Sequence, residues 1–155
     1  MDWTFEKLET TCRIVSLYDG DTFDIILPLI PTENIGYRFS CRLNRIDTCE
    51  LKNSNEFLKN ISHKSILFLY HLITKNTLPN LPFLELRELI EKDLNDNVYL
   101  LNIKCSQFDK YGRILLDILI DNTTASDLLL DNKLAYPYSG KTKMTIEEQV
   151  KFFND

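Results

Sequence analysis

The stretch that decides the fold is Thr11–Leu27, TCRIVSLYDGDTFDIIL. Thr11 to Tyr18 reads as a strand, Asp19-Gly20 as a turn, and Thr22 to Leu27 as a second strand with Phe23, Ile25 and Leu27 on one face. Pro28 to Gly36 reads as a loop, because it contains two prolines, and Tyr37 to Ile46 (YRFSCRLNRI) is a third strand. The tip of the second hairpin is expected near residue 34, so that paired positions sum to about 68. On that register Asp21 faces Asp47 across the ladder. Two carboxylates so close repel unless a proton or a cation lies between them.

Residues 1–10 are a lead-in whose Trp3 and Phe5 are expected to pack on the barrel. After the third strand, Asn53 or Ser54 can cap a helix reaching Thr74, with Leu58, Ile61, Phe68, Leu69 and Leu72 on its buried face. Lys75 to Pro82 is rich in helix breakers, and Leu84 to Leu94 reads as a short inserted helix. Val98 to Phe108 and Arg113 to Ile120 form a strand pair around the turn Asp109-Lys110-Tyr111-Gly112. A short helix over Ala125–Lys133, an irregular stretch from Leu134 to Lys143 and a terminal helix over Met144–Phe153 complete the chain. This order predicts an α+β, mainly β fold. It is a five-stranded Greek-key barrel of the OB type, with a long helix between strands 3 and 4, an inserted short helix and C-terminal helices. One domain over 1–155 is expected, with its core at about 11–140 and an insertion at about 76–97.

Bulk composition narrows the function classes. The 155 residues carry a formal charge of −5, which argues against a broad basic surface for nucleic acid but leaves a local site open. The four cysteines, at 12, 41, 49 and 105, show no CxxC and no zinc spacing. Cys12, Cys41 and Cys105 fall in strands and read as packing residues. No signal-peptide pattern opens the chain and no apolar run is long enough to cross a bilayer, so an intracellular protein with reduced thiols is expected, with no membrane association. His63 and His71, both on the long helix, have no base–nucleophile pattern around them.

Three motifs carry chemistry: Asp19-Gly20-Asp21-Thr22; Arg42 with Ile46-Asp47-Thr48-Cys49-Glu50; and Asp109-Lys110-Tyr111-Gly112-Arg113. Each alone is an ordinary turn or a solvated charge. Together, in this order, they resemble the staphylococcal (thermonuclease-type) nuclease family over about residues 11–140. The resemblance implies a Ca²⁺-dependent nuclease, with Mg²⁺ as the other candidate ion, that hydrolyses DNA and RNA with low sequence specificity and leaves 3′-phosphates. It implies Asp21, Asp47 and the main-chain carbonyl of Thr48 as metal ligands, and Arg42, Glu50 and Arg113 as catalytic residues. Lys110, Tyr111, Tyr136 and Tyr138 match substrate-binding positions, while Asp19 and Thr22 support the metal ligands or the turn. Carboxylate and carbonyl oxygens suit a hard ion, and Arg presents a planar fork to phosphate that Lys lacks.

The sequence also departs from that family. Cys49 stands where relatives commonly have Pro, as a tolerated small residue or as an oxidation-sensitive thiol beside the site. The loop after Glu50 is short, and residues 76–97 have no assigned counterpart; they either cover the barrel or offer a surface to a protein partner. A monomer is expected. The alternative function is a barrel of this type that has lost catalysis and serves as a binding module for nucleic acid or protein.

Overall fold

The computed structural model describes residues 5–30 and 35–155, without the side chains of Leu29 and Ile30. Trp3 and the expected hairpin tip near residue 34 lie outside the described residues. Five strands close into a barrel: β1 (Glu9–Asp19), β2 (Thr22–Ile30), β3 (Ile35–Leu43), β5 (Leu100–Phe108) and β6 (Ile114–Ile120). β1 pairs antiparallel with β2 and β5, β2 with β3, and β5 with β6. The barrel closes where β3 runs parallel to β6 through Cys41↔Ile114, Arg42↔Leu115 and Leu43↔Leu116. The architecture is mixed, mainly β and OB-like.

Alternation fills the interior. Phe23, Ile25 and Leu27 of β2, Cys41 and Leu43 of β3, and Leu101, Ile103 and Cys105 of β5 are all buried in one cluster with Cys12, Ile14, Ile114, Leu116 and Ile118. Each large apolar side chain so buried contributes about 1.5–3 kcal/mol. Cys12, Cys41 and Cys105 are packing residues of this core. Burial pushes the Cys12 and Cys105 thiols up, to about 12 and about 11, and that of Cys41 higher still. Phe5 is buried against Phe39 and Phe108, as its apolar ring requires.

The second hairpin departs from expectation in two ways. β2 continues through Pro28 to Ile30 and β3 starts at Ile35, so the expected Pro28–Gly36 loop is mostly strand. Pro28 pairs with Gly36 but lies beyond Ile26, the last β2 residue paired with β1, so its missing N–H breaks no bond on that side. The paired positions sum to 64, from Thr22↔Arg42 through Pro28↔Gly36, rather than 68. Asp21 is therefore not opposite Asp47; its carbonyl accepts from the N–H of Leu43 at 2.8 Å.

The barrel's outer cover is helical. α1 (Glu56–Thr74) begins at Asn55, whose side chain accepts from the Leu58 N–H, and ends where Lys75 turns left-handed at φ 63°. The inserted helix α2 spans Phe83–Asp96, longer than expected. Its stripe Leu86, Ile90 and Leu94 packs onto β1, which explains why Ile14 to Leu17 are buried without alternation. Glu91 accepts from Ser16 Oγ at 3.2 Å and from the Leu17 N–H at 3.4 Å, at an irregularity in the β1–β2 register. Arg13 Nη2 donates to the carbonyls of Leu94 and Asn95 in the last turn of α2 and of Asn97 just beyond it. The insertion covers the barrel, while Leu84 and Leu89 face outward.

Beyond β6 come β7 (Thr123–Thr124) and α3 (Ala125–Asp131), capped by the Thr124 side chain. The stretch expected to be irregular contains a short strand, β8 (Tyr136–Pro137), which pairs with β4 (Ile46–Asp47). α4 (Ile146–Asn154) starts with a capping box between Thr145 and Glu148. Its Val150 and Phe153 pack against Cys49, Leu58 and Ile61. No described helix is long and apolar enough to cross a membrane.

Candidate functional site

The acidic turn between β1 and β2 is placed by close packing. A Cβ on Gly20 would lie 2.4 Å from Ser65 Oγ and 2.7 Å from Ser65 Cβ, so only glycine lets the turn rest on α1. Asp21 is thereby buried at the barrel rim. Its Oδ1 accepts from Thr22 Oγ1 at 2.9 Å, and its Oδ2 from the Thr48 N–H at 3.2 Å. Asp47 reaches the same place from β4, after the turn at Asn44-Arg45 has reversed the chain. The two carboxylates meet at Arg42, through a turn and not across a ladder.

Arg42, near the end of β3, lies between them. Its Nη2 is 2.8 Å from Asp47 Oδ1, 3.5 Å from Asp21 Oδ2 and 3.4 Å from the Ile46 carbonyl. Burial disfavours the guanidinium charge, but Asp21 and Asp47 outweigh it and hold its pKa above the usual value. Burial also pushes the Asp21 carboxyl up, to about 6, with Arg42 pulling down and Asp47 up. Tyr136 donates its hydroxyl to Asp47 Oδ2. Burial first, and then Asp47, keep that phenol protonated.

The remaining residues close the site from two sides. Glu50 is exposed, and its carboxylate makes no hydrogen bond or ion pair among the described residues. Asp19 lies beside Thr22, 3.4 Å from its hydroxyl; burial pushes its carboxyl up, against Arg87 of α2. In the β5–β6 turn, Asp109 Oδ1 accepts from the N–H groups of Tyr111 and Arg113. Asp109 Oδ2 takes Arg113 Nε at 2.7 Å, and the terminal nitrogens of Arg113 make no hydrogen bond or ion pair among the described residues. Gly112, at φ 80°, supplies the left-handed residue this turn needs.

These side chains line one cleft of about 600 Å³: Asp19, Asp21 and Thr22; Arg42; Asp47, Thr48 and Glu50; and Tyr111 and Arg113. It adjoins a larger cleft of about 890 Å³ that holds Lys110 and Tyr138. Tyr111 is 72% exposed, with Lys110 Nζ 5.2 Å and the Arg113 guanidinium 5.4 Å from its ring, so it offers a stacking face flanked by cations. Tyr136 is the exception among the expected substrate contacts. It is buried beneath Asp47 and lines neither cleft.

Lys143 escaped the reading of the sequence. Its Nζ is 3.6 Å from Asp47 Oδ1, and it lines both clefts. The only sequence signal was the basic run after Tyr138-Ser139-Gly140, which carries no spacing rule. Cys49 packs under α4 against Leu58 and Ile61, and burial and then Asp47 push its thiol up to about 12.

The donor set suits a hard cation. Asp21 and Asp47 each turn an oxygen toward one cationic nitrogen of Arg42, which marks where positive charge is stabilised. Beside them Thr48 Oγ1 is buried without a hydrogen-bond partner. Among the described residues no cluster of three His, Cys, Asp or Glu side chains has metal-binding geometry, so a cation here would rest on two carboxylates plus non-carboxylate oxygens. The class defined by fold and cleft is an OB-like barrel with a paired-carboxylate, arginine-flanked pocket at its rim. Compared with protein-family models and with curated protein sequences, the chain matches none.

Proposed function

We propose that the protein is a divalent-cation-dependent nuclease, with Ca²⁺ the favoured ion. On this reading the barrel is a Greek-key OB-fold of the staphylococcal nuclease type. The observation that carries it is the gathering of Asp21, Arg42, Asp47, Thr48, Glu50 and Arg113, from three separate stretches of the chain, along one cleft.

In the proposed reaction Asp21, Asp47 and the Thr48 carbonyl would hold the ion, whose positive charge would be supplied to a non-bridging phosphoryl oxygen. Arg113 offers its terminal nitrogens to the phosphoryl oxygens, and Arg42 supplies the second guanidinium. Glu50, unpaired and exposed, orients the attacking water and takes its proton. The water oxygen bonds to phosphorus as the bond from phosphorus to the 5′-oxygen breaks; that oxygen takes a proton from solvent and leaves as a hydroxyl, and a 3′-phosphate remains. Tyr111 and Tyr138 give bases a flat face, which reads stacking and not base identity, so low sequence specificity follows for both DNA and RNA.

The test is cleavage of single-stranded DNA, duplex DNA and RNA with Ca²⁺, Mg²⁺ or chelator. Glu50→Gln and Arg113→Ala are expected to lose about 10²–10³-fold in rate while remaining folded, as loss of one charge-stabilising group does. Products ending in 5′-phosphate would refute the bond assignment. A folded wild type that binds these substrates but cleaves none of them would instead establish the binding-module reading.

A further inference from the structure

We infer that Lys143 is an internal counter-cation of Asp47 that competes with the divalent ion and contributes to holding the substrate's phosphate; this rests on the nuclease reading above. Among the described residues two cations share Asp47 Oδ1, Arg42 Nη2 in a hydrogen bond and Lys143 Nζ in a longer ion pair, while the Tyr136 hydroxyl donates to Oδ2. The carboxylate keeps an open lone-pair position, but a divalent ion taken there would meet both cations, and the one free to move is the one it would displace.

The geometry singles out Lys143. Arg42 is buried and tied to Asp47, Asp21 and the Ile46 carbonyl at once. Tyr136 is buried and packed edge-on against Phe152 and Phe153. The Lys143 side chain is 45% exposed, and its contact with Asp47, at 3.6 Å, is longer than that of Arg42. Its backbone is anchored on both sides, by the pairing of β8 with β4 and by α4, whose Val150 and Phe153 are seated against Cys49 and Leu58. The side chain can therefore change partner while the chain stays in place. It also stands where the smaller, carboxylate-bearing cleft meets the larger, basic one, 5.9 Å from the Tyr138 ring centroid, so an anionic phosphate at that junction meets its ammonium.

The consequence is a pair of opposite effects. With no substrate present, the Lys143 charge opposes a second cation at Asp47. With a phosphate present, the same charge attracts the ligand. A point charge at about 4 Å in a half-exposed setting changes affinity by roughly five- to tenfold. A purely structural anchor would produce neither the opposite signs nor a gain in cation affinity.

The experiment is calorimetric titration with CaCl₂ alone, and then with a nucleoside 3′-phosphate, which has no phosphodiester to cleave, in saturating Ca²⁺. Lys143→Met is expected to bind Ca²⁺ about five- to tenfold more tightly and the nucleoside 3′-phosphate about five- to tenfold more weakly. Lys143→Arg should resemble wild type, and Lys151→Met removes an equal charge from α4 outside both clefts as a control. Thermal melts of each variant exclude unfolding as the cause. Lys143→Met that matches wild type, loses both ligands, or shifts no more than Lys151→Met overturns the inference while the nuclease reading stands. A wild type that binds no divalent cation overturns both.

Discussion

Gly20 shows how one residue ties the candidate site to the fold. In the sequence it reads as a turn glycine, chosen for backbone freedom. In the structure only Gly112 and Gly140 among the described glycines have left-handed φ, so Gly20 is needed for space. A methyl there would collide with Ser65 on α1 and approach Thr48 Cγ2 to 3.2 Å. Gly20→Ala is therefore expected to cost about 1–3 kcal/mol, as overpacking does. Ser65→Gly alone should cost about 0.5 kcal/mol of helix propensity. Because it removes both colliding atoms, Gly20→Ala with Ser65→Gly should be more stable than Gly20→Ala alone. Denaturant unfolding of the three variants measures this coupling, and strictly additive losses would show that the turn does not rest on Ser65. The motif was legible here, but the reason for its glycine was not, because no local pattern reports which helix residue will lie above a turn. Tyr136 makes the same point: a tyrosine expected at the substrate is buried beneath Asp47.

At the scale of elements, the strands announced themselves and their limits did not. The alternation of Phe23, Ile25 and Leu27 fixed β2, yet Pro28 suggested an end that the structure places later, because the outer side of β2 is already unpaired there. The change of the paired sum from 68 to 64 moved Asp21 from facing Asp47 to facing Leu43, and β4 restored the meeting by a route no register could show. α2 was visible as a helix, but its seat was not. That seat depends on Glu91, which satisfies the Leu17 N–H and Ser16 Oγ where β1 departs from regular pairing. Glu91→Ala should cost about 1–3 kcal/mol, the usual penalty for stranding a partly buried donor. Hydrogen exchange should then speed up at the Leu17 amide and along Phe83–Asp96 together. Faster exchange in α2 alone would mean that the helix is held by its apolar stripe and not by Glu91.

Across the whole molecule, the order of elements was enough to expect a closed five-stranded barrel. The closing contact, residues 41–43 against 114–116, was inaccessible to pattern reading, since apolar alternation says that a strand is half-buried but not which strand lies beside it. Charge is similarly uneven. The chain carries −5 overall, yet Lys110, Arg113, Lys141 and Lys143 gather along the larger cleft. Arg45, which also lines that cleft, is paired with Asp117 and Asp127, and Arg13 is held at the end of α2. An acidic protein with one basic cleft should bind nucleic acid through few phosphates, and its remaining surface should repel the strand. With about four phosphate contacts, log K for single-stranded DNA is expected to fall with log salt at a slope of about −3, given roughly −0.7 per phosphate. Binding measured between low and physiological salt, with a cleavage-deficient Glu50→Gln protein, tests this. A slope near −7 would require a second run of phosphate contacts outside the cleft. A slope near zero would mean that stacking on Tyr111 and Tyr138, and not charge, holds the strand.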